Sequence, residues 1–312
     1  MARRNANETT NLAPGTHPMP TILTLTPNTL LDHVATGSVQ VGRTNRVPDL
    51  EPMAAGKGVN VARVLAAHGH RVLAGGFVGS DGNGKLFTEL VEADGVEPVF
   101  TTIAARQRMG VLVADGKATT AILPSGMPVR SSEIGALLRH VRGLLADVDL
   151  VILGGSVPCD TCTDLIRQVL DLCARAGVPC WVDSYGPAMD EALKGNHPPV
   201  LAKPNKQEYG NGKAWLACRE LHLTDGGNPV KVRAPEGRFR VTAPHITEIN
   251  AIGSGDSYLA GLAHARLSGW TLTQQLAYAS AAGAANAART DVAHMRPTEI
   301  KALMEQVVVE AT

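Results

Sequence analysis

From Ser131 onward the chain alternates between two periods, and that alternation most restricts the folds open to it. Ile134, Leu137, Leu138, Val141, Leu144 and Leu145 recur at three- and four-residue steps and mark a helix, and Asp149 to Leu153 is a short apolar strand closed by Gly154-Gly155-Ser156-Val157-Pro158. A helix through Leu165, Ile166, Val169 and Leu170 then stops at Gly177, Cys180 to Asp183 is a strand, and a short helix leads to the strand Val200-Leu201-Ala202. Strands separated by helices in this way pair in parallel, which requires a mainly parallel sheet covered on both faces. The ligand crevice of such a sheet lies beyond the C-terminal ends of its strands, so polar residues that follow strands are the first functional candidates.

The N-terminal half fits the same plan with an addition. Thr21 to Thr26 alternates and is β-branched, Pro27-Asn28 ends it, and Asp32 is expected in a short loop beyond. Asn28 and Asp32 are candidates for holding hydroxyls, although a turn-forming pair has the same look. Ala54-Ala55-Gly56-Lys57-Gly58-Val59-Asn60 opens a helix over Val59 to His68 that Gly69 stops. Val72 to Val78 is a buried strand, followed by a glycine loop and a helix near Leu86 to Glu92. Arg108 to Ala114 and Ala118 to Leu123 flank Asp115-Gly116, a hairpin expected to pair with strands near residues 37–53 as a lid over the crevice. The expected organisation is therefore a disordered tail over 1–20 and one α/β domain over 21–312, with lid strands inserted at about 33–54 and 97–125.

Further on, Asn205 and Glu208 stand three apart after a strand, where one helix face could turn both toward the crevice; capping and surface solvation are the plainer alternatives. Leu221 to Thr224 is a strand ending in Asp225-Gly226-Gly227, and a hairpin follows through Glu236-Gly237. Helices are expected from about Leu272 to Arg289 and from Pro297 to Val308, the first so rich in alanine and glycine that a neighbour must pack closely against it.

Charge and cysteine usage narrow the function. Lysine plus arginine equals aspartate plus glutamate at 29 each, so no overall field would hold nucleic acid or an anionic membrane, and any anion must be bound locally. The chain has no apolar run long enough to span a bilayer and no secretory core among its first 20 residues, so a cytoplasmic protein is expected. Five cysteines, an odd number, fit a reducing compartment. Cys159-Asp160-Thr161-Cys162 has a redox or zinc spacing but no second cysteine pair to complete a metal site, and metal or redox chemistry there is the lesser reading.

The local anion site is Ile249-Asn250-Ala251-Ile252-Gly253-Ser254-Gly255-Asp256-Ser257. Leu259, Leu262, Ala263 and Leu267 set a helix that starts at about Gly255, so the glycines sit on its first turn, where unpaired amides and the helix dipole favour an anion. Phosphate is the natural guest. A carboxylate beside it is repelled unless transfer of the phosphoryl group needs a base, which is the reading for Asp256; a turn followed by a capping carboxylate is the plainer one. A dinucleotide fingerprint would need glycine at Tyr258, and the Walker-like Gly79-Ser80-Asp81-Gly82-Asn83-Gly84-Lys85 is followed by Leu86, which has no hydroxyl for magnesium.

Six pieces occur in one order: Asn28 to Asp32, Gly56-Lys57-Gly58-Val59-Asn60, Gly79-x-Asp81-x-x-Gly84, Gly155-Ser156-Val157-Pro158, Lys203-Pro204-Asn205-x-x-Glu208 and Gly253-Ser254-Gly255-Asp256. In these the chain resembles the ribokinase-like carbohydrate kinases of the phosphofructokinase B type, most closely the 1-phosphofructokinase and tagatose-6-phosphate kinase branch, over residues 21 to about 309. The resemblance implies a three-layer αβα domain with a doubly wound sheet and a β lid, ATP and Mg2+ as cofactors, a sugar phosphate as acceptor, and a homodimer formed through the lids. It implies Asp256 as base, with Gly253, Ser254 and Gly255 as the anion hole. Asp32, Gly56, Lys57 and Asn60 would bind the sugar and Arg108 its existing phosphate. Lys203, Asn205, Thr224, Gly226 and, less closely, Asn286 match the nucleotide side, and Glu208 matches an acid that orders magnesium through water.

Thr29, Gly110 and Ser254 depart from the family's usual proline, asparagine and alanine. The stretch between Glu208 and Thr224 is about one helix short, which would uncover the sheet near the nucleotide side. Two other readings stay open. One is a kinase of a free sugar or nucleoside, against which Arg43, Arg46, Arg106 and Arg108 argue as phosphate ligands. The other is a degenerate kinase that only binds ligand or regulates.

Overall fold

A computed structural model describes residues 20–114, 119–210 and 212–312. The expected tail over 1–20, apart from Pro20, and the Asp115-Gly116 turn lie outside the described residues.

The first half of the chain builds one edge of the main sheet and all of the lid. Strand β1 (Thr21–Thr26) is buried throughout, β2 (Leu30–Thr36) and β3 (Glu51–Ala55) form an antiparallel pair, and helix α1 (Lys57–Ala67) follows. Gly69 takes the left-handed conformation that ends α1, and β4 (Arg71–Gly79) returns parallel to β1. Helix α2 (Gly82–Ala93) starts one turn earlier than its apolar period suggests because the Asp81 side chain caps the Gly84 amide. Strands β5 (Glu97–Pro98) and β6 (Thr101–Ile103) pair with β4 in the main sheet, so residues 97–103 are not lid as expected. The hairpin strands β7 (Met109–Ala114) and β8 (Thr119–Ile122) do belong to the lid, but β7 pairs in parallel with β2 rather than with residues 37–53. The lid order is β3-β2-β7-β8.

The second half follows the expected alternation. Helix α3 (Ser131–Leu144), β9 (Leu150–Gly154), α4 (Leu165–Ala176) ended by left-handed Gly177, β10 (Cys180–Asp183), α5 (Pro187–Leu193), β11 (Leu201–Ala202), α6 (Lys206–Tyr209) and β12 (Glu220–Asp225) carry it across the sheet. Strands β13 (Asn228–Ala234) and β14 (Gly237–Thr242) add an antiparallel hairpin. Helices α7 (Ser254–Leu267), α8 (Leu272–Ala287) and α9 (Pro297–Met304) follow. The last helix stops short of the expected Val308, and β15 (Val308–Ala311) instead pairs antiparallel with β14, as its β-branched valines favour.

The main sheet runs β15-β14-β13-β12-β11-β10-β9-β1-β4-β5, parallel from β12 to β5. Helices α1, α2, α7, α8 and α9 pack one apolar core on one face, and α3, α4 and α5 pack a second core on the other. This is the three-layer αβα arrangement with a small β lid. The alanines and glycines of α8 let α7 approach closely: a Cβ on Gly261 would lie 2.8 Å from Ala282 Cβ. Among the described residues, no helix is long and apolar enough to cross a membrane.

The shortened stretch before β12 is covered in its own way. A 3-10 turn over Ala214–Ala217 buries Trp215 (5 % exposed) in the second core, its ring stacked on Tyr209 and its indole N–H bonded to Tyr209 O at 3.0 Å. One large aromatic therefore fills sheet surface that the short stretch was expected to leave uncovered.

Candidate active site

The site assembles where α1 and α7 begin beside the C-terminal ends of β10 and β11. The start of α1 is drawn against the end of β1 by two glycines. A Cβ on Gly56, whose φ is 131°, would fall 2.4 Å from Thr26 Cγ2, and one on Gly58 would fall 2.7 Å from Leu25 O. With no side chains there, α1 can present Lys57 to β10 and Asn60 to α7.

Lys57 Nζ lies 2.9 Å from Asp183 Oδ1 and 2.9 Å from Glu208 Oε1, and 5.3 Å from the centre of the Tyr185 ring. Lys203 Nζ reaches Asp183 Oδ2, also at 2.9 Å. Burial works against ionisation of Asp183, but the two ammonium groups outweigh it and hold the carboxyl below its usual range. Burial likewise works against the Lys57 charge, and Asp183, Asp256 and Glu208 together hold it above the usual lysine value.

Asp256 stands on the first turn of α7, 6 % exposed, and its Oδ2 accepts a hydrogen bond from Asn60 Nδ2 at 2.7 Å. Burial, reinforced by the Asp183 charge, raises its carboxyl to about 6 against the opposing pull of Lys57, Asn60 and Lys203. Left-handed Gly253 (φ 80°) turns the chain into α7, and a Cβ on Gly255 would come within 2.9 Å of Lys203 Nζ. The Ser254 amide already bonds Ala251 O at 3.1 Å and that of Ser257 bonds Gly253 O at 2.8 Å. The Gly255 and Asp256 amides between them precede the helix's first internal hydrogen bond. The arrangement offers helix-opening amides for an anion, two lysines within reach of one buried acid, and a second acid that exchanges its proton near neutral pH.

Asp32 lies on strand β2, not in the loop expected for it, and is buried; burial raises its carboxyl. Its partner across the lid is Gly110, where a Cβ would sit 3.0 Å from Asp32 Oδ1, so the glycine found in place of asparagine leaves the carboxylate room. Arg108, at the root of β7, bonds Pro124 O through Nε at 3.1 Å and is close enough to Asp32 for the two charges to stabilise each other.

On the expected nucleotide side, Asn205 and Glu208 form a reciprocal cap on α6. Asn205 Oδ1 accepts from the Gln207 and Glu208 amides, and Glu208 Oε2 accepts from the Asn205 amide, each at 2.9 Å. The Asn205 oxygen is thus engaged within the chain rather than turned to the crevice. A backbone bridge pairs Asn205 with Thr224, and Gly226 follows with φ 56°. Beside them, an open groove is lined by Lys206, Leu223, Asp225 and Asn228.

Asn286 departs from the expected nucleotide contact. It is fully buried, its Nδ2 donating to Ile252 O at 2.7 Å and to Ser254 Oγ at 3.0 Å while its Oδ1 accepts from the Ala293 amide at 2.7 Å. With both donors used inside the protein, Asn286 shapes the turn that opens α7.

Two residues central to this network were not expected from the sequence. Asp183 could have been found as an acid ending a strand on the crevice side. Arg63 (4 % exposed) bonds Asp94 Oδ2 at 2.7 Å, Ala54 O at 2.8 Å and Asn60 Oδ1 at 3.2 Å, and so turns the Asn60 amide nitrogen toward Asp256. Nothing in its helical position distinguishes it.

Comparison with known proteins agrees with the fold. The family described as pfkB family carbohydrate kinase matches residues 29–299. A tagatose-6-phosphate kinase of Staphylococcus epidermidis is 27 % identical over 307 residues, covering 92 % of this chain and 99 % of the relative. Among solved structures, a possible 1-phosphofructokinase of Thermotoga maritima superposes with a TM-score of 0.85 at 22 % identity, over 94 % of this chain and 99 % of its own. Phosphofructokinase-2 of Escherichia coli, in a tetrameric inhibited form, gives 0.81 at 20 % identity, over 92 % and 99 %. That tetramer corrects the expectation of a simple homodimer through the lids: an assembly rule drawn from the fold does not hold across proteins that share it.

Proposed function

The chain belongs to the pfkB family of carbohydrate kinases, phosphotransferases with a hydroxyl acceptor, and on that premise we propose that it moves the γ-phosphoryl group of ATP to a hexose phosphate, fructose 1-phosphate or tagatose 6-phosphate, giving a hexose bisphosphate. The observation that carries the reading is Asp256: a buried carboxylate on the opening turn of a helix, aimed by Asn60 and poised to exchange a proton near neutral pH.

In this reading Asp256 takes the proton of the attacking hydroxyl, a role worth roughly 10²–10⁴-fold in rate. The Gly255 and Asp256 amides hold the oxygens of the phosphoryl group as their charge grows. Lys57 and Lys203, both fixed by Asp183, set a positive field beside the transfer path. Asp32 binds sugar hydroxyls from the lid, and Arg108 holds the phosphate already present on the acceptor, as a guanidinium suits. Thr224 and Gly226 border the nucleotide.

Among the described residues, no group of three or more metal-binding side chains converges. The donor set present is two carboxylates, Asp183 and Glu208, that share Lys57. All four of their oxygens are engaged by Lys57, Lys203 and the Asn205 amide, so Glu208 would order magnesium through water while substrate phosphates and water fill the ion's shell. When bound, magnesium would neutralise phosphate charge.

ADP release measured across fructose 1-phosphate, fructose 6-phosphate, tagatose 6-phosphate, ribose and adenosine tests the assignment. The expected result is the highest kcat/KM with fructose 1-phosphate or tagatose 6-phosphate. Preference for ribose or adenosine would replace the sugar-phosphate reading with that of a free-sugar or nucleoside kinase. Thermal stabilisation by ATP without turnover on any acceptor would make the protein a ligand binder.

A further inference from the structure

The Cys159-Asp160-Thr161-Cys162 stretch takes no part in phosphoryl transfer, yet the fold sets its two thiols together. Both are free, and a 3-10 turn over Asp160–Cys162 brings Cys162, 0 % exposed, under the partly exposed Cys159 with Sγ atoms 4.0 Å apart. Residues three apart on such a turn nearly eclipse, and a disulfide needs about 2 Å between sulfurs, so side-chain rotation suffices to close the gap.

The two thiols are unlike. Partial burial disfavours the Cys159 thiolate, but hydrogen bonds from the Thr161 hydroxyl, the Val129 amide and the Cys162 thiol outweigh it and hold that thiol below its usual range. Burial and the adjacent Cys159 push Cys162 up to about 12. An accessible thiol that ionises readily over a buried one that does not is the arrangement of an attacking and a resolving cysteine.

The turn is also fastened to the segment that leaves the lid. Residues 123–130 carry the chain from β8 to α3. Within them the Val129 amide donates to Cys159 Sγ at 3.4 Å, the Thr161 hydroxyl stands 2.7 Å from the Val129 carbonyl and 3.1 Å from Cys159 Sγ, its one proton turned to the carbonyl beside a neutral thiol and to the sulfur beside a thiolate, and a Cβ on Gly126 would lie 1.9 Å from Pro158 O.

We propose that Cys159 and Cys162 are a peroxide-responsive dithiol whose disulfide loosens the attachment of residues 124–130, the segment that ties the lid to the main domain. The Cys159 thiolate attacks one oxygen of a hydroperoxide; the O–O bond breaks, a water or alcohol leaves after protonation, and Cys159 becomes a sulfenic acid. The Cys162 thiol then attacks that sulfur, the S–O bond breaks, and a second water carries off the Cys162 proton. Two electrons pass from the thiols to the hydroperoxide, and a dithiol reductant restores the pair by exchange. A sulfur bonded to Cys162 is a much weaker acceptor for the Val129 amide than a thiolate. Cys173, Cys180 and Cys218 are buried and remain reduced, an internal control. The inference does not depend on which sugar the protein phosphorylates.

The test treats the native full chain with a small excess of hydrogen peroxide, maps cysteine-containing peptides, and follows amide exchange over residues 124–130. The expected result is one Cys159–Cys162 link reversed by dithiothreitol, with several-fold faster exchange across 124–130. Cys162→Ser should accumulate a dimedone-reactive sulfenic acid on Cys159, and Cys159→Ser should yield no product at either position. Cys159 surviving as a thiol, or passing to sulfinic acid in the wild-type chain without linking to Cys162, would overturn the proposal. A disulfide that leaves exchange at 124–130 unchanged would overturn the coupling to the lid. The wild-type measurements stand alone should either variant fold poorly.

Discussion

Asn60 Nδ2 donates to Asp256 Oδ2 across 2.7 Å, so helix α1, which follows the first lid strands, aims the carboxylate on helix α7, nearly two hundred residues later. The bond leaves Oδ1 of the carboxylate outside that pairing and fixes the plane in which it can meet a hydroxyl.

Replacing Asp256 by Asn keeps the shape and the acceptor for Asn60 while removing the base. Turnover should fall roughly 10²–10⁴-fold with ATP affinity kept. The same variant should fold at least as well as the wild type. A carboxyl raised from its ordinary value near 3.8 to about 6 contributes stability while protonated in both states and loses it as pH rises through about 6, so the ionised group costs up to about 3 kcal/mol at neutral pH. Paired turnover and thermal-melting measurements check both halves; full activity in the variant would remove Asp256 from the chemistry.

The same shift sets a pH limb. kcat/KM should decline below about pH 6 with the slope of a single proton, and the limb should be absent from the residual activity of Asp256→Asn. An acid limb lying near pH 4, where ordinary carboxylates titrate, would contradict the buried environment of Asp256.

Arg63→Met removes a guanidinium that pairs with Asp94 and orients Asn60. Stability should drop by on the order of 3 kcal/mol, since a partly buried carboxylate loses its partner. kcat should also fall while KM for ATP changes little. Denaturant titration and steady-state kinetics measure the two effects, and an unchanged kcat would show that Asn60 holds its orientation unaided.

Trp215→Ala should cost about 3–5 kcal/mol, the usual range for a buried large aromatic, because the short stretch before β12 has little else to cover the sheet. A loss under about 1 kcal/mol in urea unfolding would show that the turn merely lies on the surface.

Away from the site, His68, His70 and His264 meet between α1 and α7, with His70 Nε2 2.9 Å from His264 Nδ1 and Tyr278, Trp270 and Lys301 around them. Burial lowers all three; the Lys301 charge adds to it at His68, His68 adds to it at His70, and His68, His70 and Lys301 together with burial take His264 to about 3. Lowered histidines contribute stability above their ordinary value near 6.5 and lose it as pH falls toward their folded values. Melting temperature should therefore drop between pH 7 and pH 5, and His264→Phe should flatten that dependence.

Where chemistry and fold share a short-range signal, the sequence is legible. Strands β1 and β10 lie where alternation and apolar runs place them, and α7 begins within a residue of its expected start because the glycines that precede it must turn the chain. The misreadings have a common cause in long-range pairing. Asp32 belongs to a strand only because β3 and β7 flank it, and β15 exists because β14 offers an edge. Asp183 has only the weak local mark of an acid ending a strand: its importance arises when lysines from two distant segments converge on it. Asn205 shows the converse, a polar residue whose short-range capping bonds take the oxygen expected at the crevice.

Arg63 has one more consequence. Its guanidinium is anchored at Asp94 and Ala54 O, away from Asp256, so the carboxamide it steers keeps its heading whether or not the neighbouring acid carries a proton. Acidification therefore empties the acceptor without misaligning the scaffold, and activity lost that way should return on neutralisation with no lag for rebuilding.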